Sequence, residues 1–367
     1  MVNIPGEDAY AVRIGAGVLS DLGRSMRAIE SLSEASEVLV ITDDQVAPRY
    51  LAQAKMSLSR AGYHASDICL PSGEQAKSID VLAEVWEAMA SLSLQRDCVV
   101  VALGGGVVGD LAGFAAATYM RGVEVVQAPT TLLAMVDSSV GGKTGVNLQA
   151  GKNLVGAFKQ PTFVCADTVT LETLPPREWA CGCGEIAKSA VIEGDDFFFW
   201  LTEHAAELAT REPAVVEEAI ARCVVFKADV VAQDKTESRG VRESLNYGHT
   251  LAHVIEKMSG YGTYSHGEAV AEGTRFAARL GAELVGTSAD VIAAQDSLLD
   301  ALGLPGLGWT ADPDEVLQLM KRDKKARRGQ VRFVVPRDVG DWELATVSDE
   351  VILRNLEAWF AAQTTRS

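Results

Sequence analysis

Paired cysteine spacing is missing from this chain of 367 residues. Its six cysteines, Cys69, Cys98, Cys165, Cys181, Cys183 and Cys223, form no Cys-x-x-Cys, and Cys181-Gly182-Cys183 is too tight for a zinc knuckle. Most lie in apolar runs such as Asp97-Cys98-Val99-Val100, the setting of reduced, buried thiols. Positive charge is also scarce. Thirty-three Lys and Arg against 50 Asp and Glu leave a net charge of −17, a surface that repels polyanions and argues against nucleic acid as a partner. No run reaches the roughly 18 uninterrupted apolar residues of a membrane span. The start, Met1-Val2-Asn3-Ile4-Pro5-Gly6, lacks a basic-then-apolar signal pattern. A soluble, cytoplasmic protein without membrane attachment is expected. No internal repeat or low-complexity tract is evident.

What is present begins with alternation. Glu37 to Asp44, Cys98 to Leu103, Glu124 to Ala128 and Phe163 to Asp167 read as strands apolar on both faces, with a helical pattern from about Ala47 to Ala61. Such strands belong to a largely parallel, Rossmann-like sheet in an α/β domain. After Thr173-Leu174-Pro175-Pro176-Arg177 the texture becomes helical to about Gln295, with one late strand at Gln330 to Pro336. This predicts an α/β N-terminal domain over 1–176 and a mainly α-helical C-terminal domain over 177–367. Ligands of open α/β sheets gather at the carboxyl ends of strands, so the active site is expected in the cleft between the two.

Histidine is rare, five in all, yet His249, His253 and His266 fall close together in Asn246-Tyr247-Gly248-His249-Thr250-Leu251-Ala252-His253 and Ser265-His266-Gly267-Glu268. His249 and His253, four apart, share one helix face. Glu185, in Glu185-Ile186-Ala187-Lys188, with two of the three histidines would make a Glu/His2 metal site with open positions for substrate oxygens. Gly104-Gly105-Gly106-Val107-Val108-Gly109-Asp110 follows a strand and is expected to open a helix at about Leu111, a cradle for a pyrophosphate. It departs from the dinucleotide fingerprint in having no acid about 20 residues on, and Asp43 and Asp44 are better placed for a ribose. Gly142-Lys143-Thr144 resembles the tail of a phosphate loop, but Asp137 stands where that loop needs glycine, which argues against an ATPase. Lys143, Lys152, Asn153 and Asp137 beside glycine-rich backbone describe an anion and hydroxyl cradle. Lys227, Glu237, Arg242, Asn246 and Asp323-Lys324-Lys325 add charges suited to a phosphorylated, carboxylated or polyhydroxylated substrate.

These segments, above all Met135 to Asn147, closely resemble the 3-dehydroquinate synthase family of sugar-phosphate cyclases, in order and spacing over essentially the whole chain. The resemblance implies a homodimeric carbon–oxygen lyase of the shikimate pathway that uses NAD and a divalent metal, Zn2+ or Co2+. Its substrate would be a small phosphorylated sugar acid, 3-deoxy-D-arabino-heptulosonate 7-phosphate, converted to 3-dehydroquinate and phosphate. The implied course is transient oxidation, phosphate elimination, re-reduction, ring opening and aldol closure. Carried over, Glu185, His249 and His266 match metal ligands, whereas His253 matches a proton-handling position. Asp137, Lys143, Lys188, Lys227, Arg242 and Asn246 match positions around the substrate, and Glu237 a proton acceptor. Lys152, Asn153 and one of Lys324 or Lys325 match the phosphate end, and Arg121 an arginine reaching the neighbouring subunit. Cofactor positions are Asp44, Ser72, Gly73, Glu74, Gln75, Ala76, Lys77, Gly106, Val107, Val108, Gly109, Asp110, Thr130, Thr131, Lys143, Lys152, Thr170, Leu171, Glu172 and Thr173. The chain departs from the family pattern at Cys183-Gly184, at Ala252 and in the length of 236–241. Two alternatives share much of this pattern: a sister cyclase of the amino-dehydroquinate type, and a metal-dependent polyol dehydrogenase that would release NADH.

Overall fold

The computed structural model describes residues 1–5, 9–234, 239–260, 262–322 and 330–364. The chain divides into two compact units, one of Met1–Pro175 with Ile220–Ala232, the other of Pro176–Ala219 with Gln233–Ser367. The segment Ile220–Ala232, most of the helix Pro213–Gln233, groups with the first unit although it follows the Pro175-Pro176 pair in sequence.

The first unit is built on a seven-stranded sheet. Its strands are β1 (Val2–Ile4), β2 (Tyr10–Gly15), β3 (Glu37–Asp43), β4 (His64–Leu70), β5 (Val99–Gly104), β6 (Glu124–Pro129) and, after the β7 (Lys143–Leu148) and β8 (Gly151–Phe158) hairpin, β9 (Phe163–Asp167). The order is β1-β2-β9-β6-β5-β3-β4, parallel throughout except for the β1–β2 pair. The four strands expected from sequence are all central. Their alternate side chains feed two separate cores: Leu39, Ile41, Val100 and Ala102 on one face, Val38, Val40, Val99 and Val101 on the other. From β3 the chain steps outward to β4, returns to β5, and then proceeds the other way through β6 to β9. The direction of winding reverses between β3 and β5, the place where open α/β sheets bind ligands.

The structure differs from the sequence reading in three local respects. The helix after β5 begins at Gly106, not near Leu111: Gly104 ends the strand, Gly105 caps the helix and Gly106 opens it. Lys143 to Asn153, read as an anion and hydroxyl cradle with no strand assigned, lies in the β7–β8 hairpin. In the second unit the late strand (Val331–Asp338, β10) has an antiparallel partner, β11 (Asp341–Val347), whose polar start hid it. The rest of that unit is helical, with a core that includes Leu251, Val270, Phe276, Phe333 and Trp359.

Asp167, at the carboxyl end of β9, is buried and accepts from the backbone N–H groups of Gly17 at 2.8 Å, Leu19 at 2.9 Å and Val169 at 3.0 Å. Its removal would leave three donors to be satisfied elsewhere. Asp167→Ala is expected to cost about 3 kcal/mol and to lower the melting temperature by about 5–10 °C, checked by calorimetry. A melting curve equal to the parent's would contradict this anchoring role.

Candidate active site

Nearly all the nucleotide candidates of the first unit lie just beyond the carboxyl ends of its parallel strands. Asp44 follows β3, Ser72 to Lys77 follow β4, Gly106 to Asp110 follow β5, Thr130 and Thr131 follow β6, and Thr170 to Thr173 follow β9. No side chain caps the helix Gly106–Thr118, and its first N–H groups point out of the helix start. Beside it, Thr130 donates its N–H to the Gly104 carbonyl at 2.9 Å, while its buried hydroxyl makes no hydrogen bond among the described residues. Open amides and an unsatisfied hydroxyl at the winding reversal fit a pyrophosphate-bearing cofactor. Hydrogen bonds from Ser72 hold the Asp44 carboxyl below its ordinary range, so it is an anion able to accept from hydroxyls.

Two further ties fix this end of the sheet. Lys77 is buried and pairs with Asp110; burial pushes the Asp110 carboxyl up against the pull of that ammonium. Asn147 of β7 donates its side-chain N–H to Glu74 at 2.8 Å and accepts at its Oδ1 from the N–H of Asn153 at 2.9 Å, which draws the 72–77 loop and the hairpin together. Lys227 donates to Asp137 twice, to Oδ1 at 2.7 Å and to the backbone carbonyl at 2.6 Å. Lys143 is exposed and Lys152 half-buried on the hairpin. Arg121 is exposed, in a turn where Met120, Arg121 and Gly122 all have positive φ, at 50°, 67° and 119°.

The second unit holds the metal candidates. Glu185 lies in the helix Pro176–Glu193, His249 opens the helix His249–Met258, and His266 opens the helix His266–Leu284. One ligand atom from each lies within 4.8 Å of the others. His249 Nε2 and His266 Nε2 face the same oxygen, Glu185 Oε1, at 3.6 and 3.4 Å. An ion with bonds of about 2.0–2.1 Å in tetrahedral array spaces its ligand atoms about 3.3 Å apart. Glu185 Oε1 is buried and, among the described residues, makes no hydrogen bond, which suits an acceptor for a cation. The Nδ1 of His249 is 3.1 Å from the carbonyl of Tyr247; that carbonyl can only accept, so Nδ1 carries the proton and Nε2 presents its lone pair.

Burial alone would raise the Glu185 carboxyl, but the Lys188 ammonium and His266 hold it well below the carboxylate range. Burial works against charge on His266 too, yet contacts with Glu185 and Glu256 push it up to about 10. Lys188 also donates to the Leu245 carbonyl at 3.0 Å, tying it to the turn Val241–Asn246 that carries Arg242 and Asn246. Arg242 is fully buried and its N–H reaches Asp234 Oδ2 at 3.3 Å. Asn246 lines a small cavity with Glu243, Thr250, Arg332, Val334 and Leu344.

His253 is near the triad but not in it, its ring centroid 5.7 Å from that of His249 and 6.5 Å from that of His266. Glu237, Lys324 and Lys325 lie outside the described residues. Sequence reasoning overlooked Asp234 and Glu256. Glu256 had a signal: seven residues after His249, it is an acid on the face that carries both helical histidines.

Backbone contact brings the candidate ligands together. A Cβ on Gly184 would lie 2.7 Å from the Gly267 carbonyl oxygen, and one on Gly267 would collide with the Cys181 carbonyl. The helices bearing Glu185 and His266 thus touch main chain to main chain. Gly248, at φ 78°, turns the chain into His249 and is packed equally closely against Val270 and Thr274.

Comparison with known proteins agrees with this architecture. A family model described as 3-dehydroquinate synthase N-terminal matches residues 67–181, and one described as 3-dehydroquinate synthase C-terminal matches residues 182–326. A 3-dehydroquinate synthase of Rhodopirellula baltica is 43% identical over 348 residues, 94% of this chain and 92% of that protein. One of Nitrosococcus oceani is 46% identical over 344 residues, 94% of this chain and 93% of that protein. Among solved structures, 2-deoxy-scyllo-inosose synthase complexed with carbaglucose-6-phosphate, NAD+ and Co2+ superposes with a TM-score of 0.87 at 27% identity, covering 97% of this chain and 99% of that one. The 2-epi-5-epi-valiolone synthase of Streptomyces hygroscopicus, with NAD+ and Zn2+ bound, gives a TM-score of 0.87 at 25% identity over all of both chains.

The glycine contact makes a specific prediction. Gly267→Ala is expected to cost about 2 kcal/mol and to lower affinity for Zn2+ along with it, because the ligand-bearing helices must separate. Thermal melting and a chelator competition would measure both. A variant that keeps parental Zn2+ affinity would show that the contact does not set the triad.

Proposed function

The chain belongs to the 3-dehydroquinate synthase family, and from that premise we propose that it converts 3-deoxy-D-arabino-heptulosonate 7-phosphate to 3-dehydroquinate and phosphate. The reaction is a carbon–oxygen lyase step of the shikimate pathway, which leads to chorismate and the aromatic amino acids. NAD and Zn2+ or Co2+ are its cofactors. The observation that carries the reading is the convergence of Glu185, His249 and His266, with His253 set aside, in a chain related to named synthases over nearly its whole length.

In this account the open amides of Gly106 to Val108, with Thr130 and Asp44, would hold NAD, and the triad would hold the cation. When bound, NAD supplies a reversible hydride acceptor, and the cation polarises the oxygen at the carbon being oxidised. The protein's own groups do the rest. Lys188, Arg242 and Asn246, linked through the Val241–Asn246 turn, bind substrate carboxylate and hydroxyls. Lys227 and Asp137 form one positioned donor–acceptor unit for the same purpose. Lys143, Lys152 and Asn153, with Lys324 or Lys325, take the phosphate and stabilise it as it leaves. His253, beside the triad without joining it, handles protons, with Glu237 as a second acceptor. We further assign Arg121, presented on a left-handed turn, to the site of a second copy in a homodimer, and the enzyme to the cytoplasm.

The test is phosphate release from the heptulosonate 7-phosphate with catalytic NAD and Zn2+ or Co2+, with absorbance at the NADH band followed alongside. Phosphate release without NADH accumulation, abolished by a chelator, is expected. NADH build-up with simple polyols and no phosphate would place the chain with dehydrogenases. Release only from an amino analogue would place it with the sister cyclases. His266→Ala is expected to lose the metal and activity while NAD still binds; undiminished metal content by elemental analysis would overturn the ligand assignment.

A further inference from the structure

The two histidines of the triad are oriented by different partners. His249 Nδ1 faces a neutral backbone carbonyl, that of Tyr247 at 3.1 Å. His266 Nδ1 faces a carboxylate, Glu256 Oε2 at 3.5 Å, and Glu256 is itself buried, with a side-chain exposure of only 9%. Glu256 lies on the helix His249–Met258, seven residues after His249, so one helix supplies both a ligand and the group that faces the other imidazole ligand. Its neighbours in sequence, Val254 and Ile255, belong to the apolar core. A buried carboxylate at the edge of that core is costly unless it meets a positive or proton-donating group, and the His266 ring is such a group.

We propose that Glu256 is a positioning residue for His266, accepting the Nδ1 proton and so aiming the Nε2 lone pair at the metal. This rests on the metal reading above. The geometry gives it content: the His266 ring stands between two carboxylates, Glu256 Oε2 facing Nδ1 at 3.5 Å and Glu185 Oε1 facing Nε2 at 3.4 Å. Only one tautomer lets the ring donate at one end and offer a lone pair at the other. A carboxylate behind an imidazole also raises its donor strength more than a carbonyl does, so His266 becomes the stronger of the two nitrogen ligands.

The experiment measures Co2+ binding to the full-length metal-free protein by chelator competition, with the Co2+ ligand-field absorption recorded for each variant. Glu256→Ala is expected to weaken Co2+ affinity about 10–100-fold and to shift the absorption bands, while NAD affinity stays at the parental value. Glu256→Gln keeps an acceptor without the charge and is expected to fall between; it also carries the test if the alanine variant does not fold. Parental Co2+ affinity and an unchanged spectrum in the glutamine and alanine variants would overturn the proposal. So would a loss of affinity in Glu256→Ala with no change in the bands, which marks a merely structural role. His266→Ala separates the two levels of the argument. If it keeps parental Co2+ affinity, the metal assignment fails and this proposal with it. If it loses Co2+ while both Glu256 variants match the parent, only the positioning role fails.

Discussion

Main-chain contact between helices at glycine is the constraint on which the metal-binding geometry depends. Each of the three candidate ligands is the sequence neighbour of a contact glycine: Gly184 precedes Glu185, Gly248 precedes His249, and Gly267 follows His266. Gly184 and Gly267 press against each other, and Gly248 presses against Gly273 and its surroundings. Helices that carry ordinary side chains at their contact pack 8–10 Å apart. At that spacing the three side chains would have to reach toward one another through flexible torsions. Glycine at the contacts lets the backbone itself set ligand positions, so little ordering remains to be done when a cation binds. The capping box of Ser265 and Glu268 pins the helix start that bears His266, and Arg177 pairs with the same glutamate from the helix that bears Glu185.

Charge is arranged on the same principle. The chain carries a net charge of −17, yet Lys77, Lys188 and Lys227 are all buried beside a carboxylate: Asp110, Glu185 and Asp137. Burying an ammonium costs several kcal/mol unless an anion and hydrogen bonds compensate it. Lys188 and Lys227 each have both, the second bond going to a backbone carbonyl. These pairs hold positive charge at fixed points in an otherwise acidic protein, which is what recognition of an anionic, hydroxylated substrate requires.

Much of this was legible in the sequence, for identifiable reasons. Strands β3, β5, β6 and β9 are central and apolar on both faces, so composition alone marks them. The edge strand β4, with His64, Ser66 and Asp67, carries no such signal, nor does the β7–β8 hairpin with its glycines and polar ends. The helix start at Gly106 was misplaced because Gly106-Val107-Val108-Gly109-Asp110 looks like a loop until packing holds it. Histidine spacing could place His249 and His253 on one face. It could not say that Glu185 would meet His249 and His266, because that depends on helix contacts 60 to 80 residues apart in sequence. The family resemblance supplied the choice, and the three side chains each bring one ligand atom within 4.8 Å of the others. Glu256 carried a spacing signal, seven residues after His249, but its meaning comes from a ring on another helix.

X-ray absorption at the metal edge of the Zn2+-loaded protein tests the central claim most directly. The account predicts a shell of nitrogen and oxygen ligands at about 2.0–2.1 Å, two of them imidazoles, and no sulfur. A scatterer at about 2.3 Å, the Zn–S distance, would put the ion on Cys181 or Cys183 and contradict the triad.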